Sequence, residues 1–308
     1  MSDEVVAFSE TAMRQGSKSF AAAARLFDKR TRDDCVMLYA WCRHCDDVID
    51  GQTLGHDQQA DFRAGQMGRL TQLRQQTADA LEGGHSSDPI FMALSRVVQR
   101  ANIPARHPQE LLEGFAMDVD NRRYETVSDV LDYGYHVAGV VGVMMAMIMG
   151  VSQPAVLDRA SDLGIAFQLT NIARDVIDDA RAGRVYLPND LLGRAGVSQV
   201  DPDDRGQWPE LYDAAVQLLD IAEPYYASSQ AGMAALPLRS AWAIASARRV
   251  YRAIGQKLRA GGPAAWEGRV STSTAEKLAL LALALVDAVL SRFRSPAGSP
   301  RTGLYERP

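Results

Sequence analysis

Helical periodicity runs through most of this chain and leaves little room for any other architecture. Helical signals recur over 32–49, 58–81, 89–101, 108–119, 127–149, 154–180, 211–234, 240–259 and 273–293. Alternation of β-branched and polar residues is scarce, and no stretch reads as a strand–turn–strand unit. Loop signals fall between the helical runs, at Gly83-Gly84-His85-Ser86-Ser87, at 193–208 and at Gly261-Gly262-Pro263. The pattern predicts an all-α helical bundle. No linker rich in Pro, Gly or Ser divides the 308 residues, so one domain is expected over 1–294. The tail, 295–308, is rich in Pro, Gly and Arg and is expected to be disordered.

Apolar residues make up 47% of the chain, enough for a sizeable core, and the formal net charge is -5. A chain of that charge lacks the basic field that binding to a nucleic-acid backbone needs. The first ten residues are acidic and carry no apolar signal core, and the three cysteines, Cys35, Cys42 and Cys45, are few and odd in number. Both features fit a reducing, cytoplasmic setting. Two apolar runs, 137–151 and 278–290, are shorter than the ~20 residues that span a bilayer. They read as buried helices, and contact with a membrane surface stays open.

Chemistry concentrates on two helix faces. Tyr39, Arg43, Asp46 and Asp50 are spaced by four, three and four, which places them on one narrow face, with Asp47 beside it. Gly164, Gln168, Asn171, Asp175 and Asp179 form a second face, flanked by Arg174 and Asp178. The neighbours of both are mostly apolar. Carboxylates one turn apart in such surroundings repel each other and lose hydration, and a cation would offset both penalties. Oxygen-only donors suit Mg²⁺ or Mn²⁺ rather than zinc, and Mg²⁺ is commonly completed by substrate phosphates. Arg43 and Arg174 add forked donors for phosphate oxygens. The combination points to departure of a diphosphate. A solvated acidic helix face is the alternative for either stripe alone.

At these residues the chain resembles the squalene/phytoene synthase family, the head-to-head prenyl synthases. The first motif reads Tyr39-Ala40-Trp41-Cys42-Arg43-His44-Cys45-Asp46-Asp47-Val48-Ile49-Asp50. The second runs from Leu163-Gly164 through Gln168, Asn171, Arg174-Asp175 and Asp178-Asp179 to Gly183-Arg184-Val185-Tyr186-Leu187-Pro188. A third, 133–142, is similar to the family's pocket helix, with Gly134 where a small non-glycine residue is more usual. Lesser matches fall at Ser17-Lys18-Ser19-Phe20, Ala247-Arg248-Arg249-Val250-Tyr251 and Arg269-Val270, so the resemblance covers roughly 10–290.

The resemblance implies an isoprenoid-synthase-type bundle around a central apolar cavity. It makes Asp46, Asp50, Asn171, Asp175 and Asp179 the metal-linked residues. It places Ser17, Lys18, Ser19, Tyr39, Arg43, Gln168, Arg174, Tyr251 and Arg269 at the diphosphate and substrate site. Tyr186 and Asp118 carry over less firmly, the alternatives being a buried structural tyrosine and a helix-surface acid. Val137, Ala138, Val141, Gly142 and Met145 become tunnel walls, although close helix packing accounts for the glycines equally well. Mg²⁺ or Mn²⁺ is the implied cofactor, with no NADPH. The segments 118–124 and 183–188 look most like bacterial phytoene synthases, which condense two geranylgeranyl diphosphates to phytoene. Synthases that take two farnesyl diphosphates, head-to-tail elongases and non-catalytic relatives of the same fold stay open as rivals. The lipophilic product implies peripheral contact with a membrane, and a carotenoid desaturase follows as a partner.

Other polar residues read as structural. Cys42 and Cys45 lack a second pair at zinc spacing and are expected in the core. His44 is read as positional. His56, His85 and His107 are expected to be solvated, and His136 to have a satisfied packing role.

Overall fold

Local signals start and stop the helices. In the computed structural model, which describes residues 2–16, 23–52, 61–83, 86–293 and 300–308, the chain forms α1 (Ser2–Gly16), α2 (Lys29–Asp50), α3 (Gln66–Leu81), α4 (Pro89–Ala101), α5 (Arg106–Val119) and α6 (Val127–Gly134). A π-helical turn (Tyr135–Gly139) leads straight into α7 (Val140–Ile148). Then come α8 (Pro154–Arg181), α9 (Asn189–Arg194), α10 (Trp208–Gly232), α11 (Leu238–Gly261) and α12 (Thr274–Leu290). No strand occurs among the described residues. The helix at 2–16 has no counterpart among the helical signals of the sequence; among its described side chains Val5, Ser9 and Met13 are buried, too sparse a pattern to stand out.

Two helices carry the aspartate stripes. Asp28 caps α2, its carboxylate accepting from the Thr31 N–H at 3.0 Å. Gly51, at φ 59°, ends the helix immediately after Asp50, a left-handed conformation that glycine adopts without steric cost. α8 opens on Pro154 and runs for 28 residues. It lies at the centre of the bundle, packed against α10, α7, the π-turn and α11. Its buried residues, from Leu157 to Ile177, point in all directions, which is why its apolar content shows no single stripe.

α2 and α8 do not pack along one another. α7 touches both, and α5 packs on α2, α7 and the π-turn. The close approach of the π-turn and α7 to α8 depends on glycine. A Cβ at Gly142 would strike the Ala160 carbonyl, and one at Gly164 would strike Ala138 O and come within 2.8 Å of Gly139 Cα. Gly164 thus belongs to a helix crossing rather than to the polar face on which its spacing places it. A Cβ at Gly134 would meet Ile165 and Gln168 at 3.8 and 3.9 Å, ordinary contact distances, so space does not demand glycine there.

Because α6, the π-turn and α7 are continuous, Val127–Ile148 is a 22-residue helical stretch of mean hydropathy 1.3. By length and composition it is able to cross a membrane, unlike the shorter apolar run visible in the sequence; half of its apolar window is buried inside the protein.

α12 differs from the buried helix expected at 278–290. Only Ala284 and Ala288 are buried, while Leu278, Leu283, Val286, Val289 and Leu290 are exposed, followed by Phe293 at 82% exposure. The helix packs on α11, where Asp287 pairs with Arg249 and Trp242 donates to Leu281 O at 2.8 Å. Burying one narrow stripe of alanines leaves the leucines and valines outside.

Residues 300–308 of the tail lie against the bundle. Arg301 pairs with Asp162, Arg307 with Asp158, and Tyr305 donates its hydroxyl to Asp132 at 3.0 Å while its ring stacks on Tyr135. Ion pairing and stacking supply what the tail's low apolar content does not. Residues 294–299 lie outside the described residues.

Candidate active site

The first stripe keeps its helical register. On α2, Arg43 Nη1 lies 3.0 Å from Asp46 Oδ2, and Nη2 lies 3.0 Å from Asp47 Oδ1. Tyr39 sits one turn earlier, half-buried, and burial pushes its phenol up to about 12, so it stays protonated. Cys35 and Cys45 are buried, and all three cysteines carry free thiols. His44 sets its ring edge-on to Phe91, 5.8 Å between centroids.

On the second stripe, Arg174 holds both oxygens of Asp175, with Nε donating to Oδ1 at 2.7 Å. Tyr251, from α11, stacks on Phe167 at 4.1 Å and feels the charges of Arg174, Asp175 and Arg269. Gln168, one turn before Asn171, is half-buried beside Gly134. Arg269 is exposed, just beyond α11.

Two residues tie the stripes together. Gly183, at φ 74°, turns the chain at the end of α8, and the Arg184 N–H donates back to Asp179 O at 2.8 Å. Arg184 then reaches across to α2 and grips both oxygens of Asp50, with Nη1 donating to Oδ2 at 3.1 Å. Asp118, near the end of α5, accepts from Tyr186 OH at 2.8 Å and Tyr133 OH at 3.1 Å, and those two rings stack at 5.0 Å. Asp118 is therefore not a helix-surface acid.

The electrostatics express the crowding. Burial pushes Asp46 up to about 7; Asp50, Asp47 and Asp118 add to the rise and Arg43 opposes it. Asp179 is pushed up to about 8, by burial first and then by Asp175, against the pull of Arg184 and Arg174. Burial raises Asp118 to about 6, with Arg184 and the Tyr186 hydroxyl opposing. Asp118 enters the balance of both Asp46 and Asp179, so α2 and α8 share one acidic locality.

That locality fits a divalent cation in its chemistry. Asn171 Oδ1 is buried and accepts no hydrogen bond from any described residue, and it lies one turn before Asp175. A hard oxygen donor among strained carboxylates is what Mg²⁺ or Mn²⁺ takes. The carboxylates are not gathered into a cage: among the described residues no three His, Cys, Asp or Glu side chains converge on one point. Asp46, Asp50 and Asp175 are each drawn toward a guanidinium instead. Such an open set suits Mg²⁺, which uses few protein carboxylates and leaves positions for water and phosphate.

Ser17, Lys18 and Ser19 lie outside the described residues, as do His56 and His85. Of the residues expected to wall a tunnel, Val137, Ala138, Val141 and Gly142 are half-buried and Met145 is buried. His107 is a correction: it is 2% exposed and bonds Glu110 Oε2 at 2.8 Å, because the helix start at Arg106 folds it under the bundle. His136 bonds Asp132 O at 2.8 Å, a satisfied position within the helix. Arg184 follows the turn glycine of the second motif, but local spacing alone gives it no partner. Tyr133 was likewise visible only as part of a motif.

An all-α bundle that presents two arginine-flanked aspartate stripes across a shared acidic locality defines a class of prenyl-diphosphate enzymes, and comparison narrows it. The chain belongs to the squalene/phytoene synthase family, whose model matches residues 13–276. It is 55% identical over 310 residues to a 15-cis-phytoene synthase of Paracoccus sp. (strain N81106 / MBIC 01143), covering 100% of this chain and 99% of that one. It is 50% identical to a 15-cis-phytoene synthase of Pantoea ananas, over 96% of each chain. Among solved structures, a dehydrosqualene synthase bound to a ligand superposes with a TM-score of 0.80 at 30% identity, over 92% of this chain and 96% of the other. A squalene synthase from Alicyclobacillus acidocaldarius shares the fold, with a TM-score of 0.74 at 22% identity over 84% of this chain and 94% of the other.

Proposed function

We propose that this chain is a phytoene synthase, joining two geranylgeranyl diphosphates head to head at the entry to carotenoid synthesis. The observation that carries the chemistry is the meeting of two arginine-flanked aspartate stripes across Asp118. The choice of C20 substrates rests on whole-length likeness to two 15-cis-phytoene synthases.

Asp46, Asp50, Asn171, Asp175 and Asp179 would hold Mg²⁺ or Mn²⁺, which when bound offsets the charge building on a departing diphosphate. Arg43, Arg174 and Arg269 orient the phosphates through forked contacts. Departure leaves an allylic cation on the first chain. The 2,3 double bond of the second chain attacks it, and loss of a proton closes the ring of a cyclopropylcarbinyl diphosphate. A second ionisation and rearrangement give the 1-1' skeleton, and loss of a proton places the central double bond. No reductant enters this sequence, so NADPH is not required. The half-buried side of the helix carrying Ala138, Val141 and Gly142 provides apolar wall that keeps water from the cations, and the Tyr39 ring offers a π face.

The exposed leucines and valines of α12 support peripheral contact with the inner face of a cytoplasmic membrane. Long prenyl chains partition there, and a desaturase would consume the product. The deciding experiment incubates purified protein with geranylgeranyl diphosphate and Mg²⁺ or Mn²⁺, without NADPH. Phytoene is expected; product from farnesyl diphosphate alone overturns the C20 assignment.

A further inference from the structure

We propose that Arg184 is an exchangeable counter-ion: its guanidinium neutralises Asp50 until cation and diphosphate arrive together, then passes to the diphosphate. The inference rests on the cation-site reading above and adds an order of events to it.

Three guanidinium groups sit on the candidate carboxylates, and one differs in kind. Arg43 pairs with Asp46 and Asp47 on its own helix, and Arg174 pairs with the adjacent Asp175. An isolated helix could form either pair. The Arg184–Asp50 pair spans 134 positions and exists only in the folded chain. Both of its ends are positioned. Gly51 stops α2 just beyond Asp50. The turn that carries Arg184 is held by Arg63, which donates to Ala182 O at 2.9 Å and Gly183 O at 3.1 Å. The guanidinium also lies over the Phe62 ring at 5.8 Å.

The grip covers both Asp50 oxygens, the atoms a cation would take. A cation that takes the oxygen positions facing the turn after α8 therefore competes with the guanidinium, and full coordination by Asp50 needs it to withdraw. Both side chains are largely buried, at 16% and 14% exposure, so a withdrawn guanidinium without a new partner carries a desolvation penalty. A diphosphate removes that penalty, because its oxygens match the planar fork as a carboxylate does. Cation and diphosphate then favour each other's binding, and linkage makes the coupling reciprocal. The site takes up metal with substrate rather than ahead of it.

The test measures protein-bound Mn²⁺ at matched free Mn²⁺, with and without inorganic pyrophosphate. It compares the unaltered chain with Arg184→Gln, Arg184→Lys and Arg181→Gln. The last removes the same charge from an exposed residue of α8. In the unaltered chain pyrophosphate should tighten Mn²⁺ binding by about tenfold or more. Arg184→Gln should bind Mn²⁺ alone about tenfold more tightly, with the pyrophosphate effect reduced to about threefold or less. Arg184→Lys, which keeps the charge and loses the fork, should fall between, and serves as the comparison if Arg184→Gln loses helix content. Arg181→Gln should match the unaltered chain. If Arg184→Gln and Arg181→Gln behave alike, or if Arg184→Lys keeps the full pyrophosphate effect, the exchange is overturned while the cation site stands. If the unaltered chain takes up no Mn²⁺ under either condition, both fall.

Discussion

Arg301 lays its guanidinium across the fully buried carboxylate of Asp162, with Nε on Oδ2 and Nη2 on Oδ1, each at 2.8 Å. The pair joins the C-terminal segment to α8, the helix that carries the second aspartate stripe. Ser228 also donates to Asp162. Removing Arg301 leaves a buried carboxylate with one hydroxyl donor. Arg301→Ala is expected to lower folding stability by about 3–5 kcal/mol, the usual cost of stranding one partner of a buried pair. Urea unfolding checks this, and a midpoint equal to the parent's would mean the segment is not docked in solution.

The aspartates separate chemistry from folding. Asp46→Ala and Asp175→Ala are each expected to lower turnover by about a thousandfold or more, since each removes charge from the acidic locality proposed to assist departure of the diphosphate. Helix content by far-ultraviolet circular dichroism should stay at the parent level. Near-normal turnover in either variant would reject the site assignment.

The glycines where the helix of 133–142 crosses α8 predict opposite outcomes for one substitution. Gly142→Ala drives a methyl into the Ala160 carbonyl, and Gly164→Ala drives one into Ala138 O. Each is expected to cost about 1–3 kcal/mol by denaturant unfolding, as overpacking does. Gly134→Ala meets only ordinary contacts and has helical φ and ψ, so it should be neutral or stabilising by about 0.4–1 kcal/mol.

Glu276 is a surface contributor to acid sensitivity, beside Asp28 and Asp129, which hydrogen bonds also hold below the ordinary carboxylate value. Hydrogen bonds from Lys257, and then from the Ser273 backbone and hydroxyl, hold Glu276 down at about 2 from its ordinary 4.5. A carboxyl depressed on folding stabilises the protein fully above 4.5, and that contribution is lost as pH falls toward 2. Glu276→Gln should therefore lose less Tm than the parent between about pH 5 and about pH 3. Parallel Tm curves would show that the capping pair contributes nothing through its charge.

The outer face of α12 predicts membrane affinity. Flotation with liposomes should recover the parent chain, and Leu283→Glu with Val286→Glu should abolish recovery, because both side chains are exposed at 49% and 53%. Equal flotation of parent and double variant would remove α12 as the contact.

Much of this protein is written locally. The helices at 89–101 and 154–181 follow from periodicity and a proline at the first turn, and Gly51 marks where the first stripe ends. The stripes themselves were legible because side chains three and four apart share a helix face whatever the helix packs against. The same rule misplaced Gly164, since spacing cannot say whether a face meets solvent, ligand or another backbone.

What the sequence by itself determined is the all-α class, the two acidic faces and their arginine neighbours on the same helices. Those depend on interactions within a few turns. The tertiary structure alone decided which distant groups meet: Arg184 with Asp50, Tyr133 and Tyr186 with Asp118, Arg301 with Asp162. Each of those contacts closes a long loop of chain, and nothing in local propensity encodes its geometry. The two aspartate faces thus become a single charged locality only when α5 and the turn after α8 bring Asp118 and Arg184 between them.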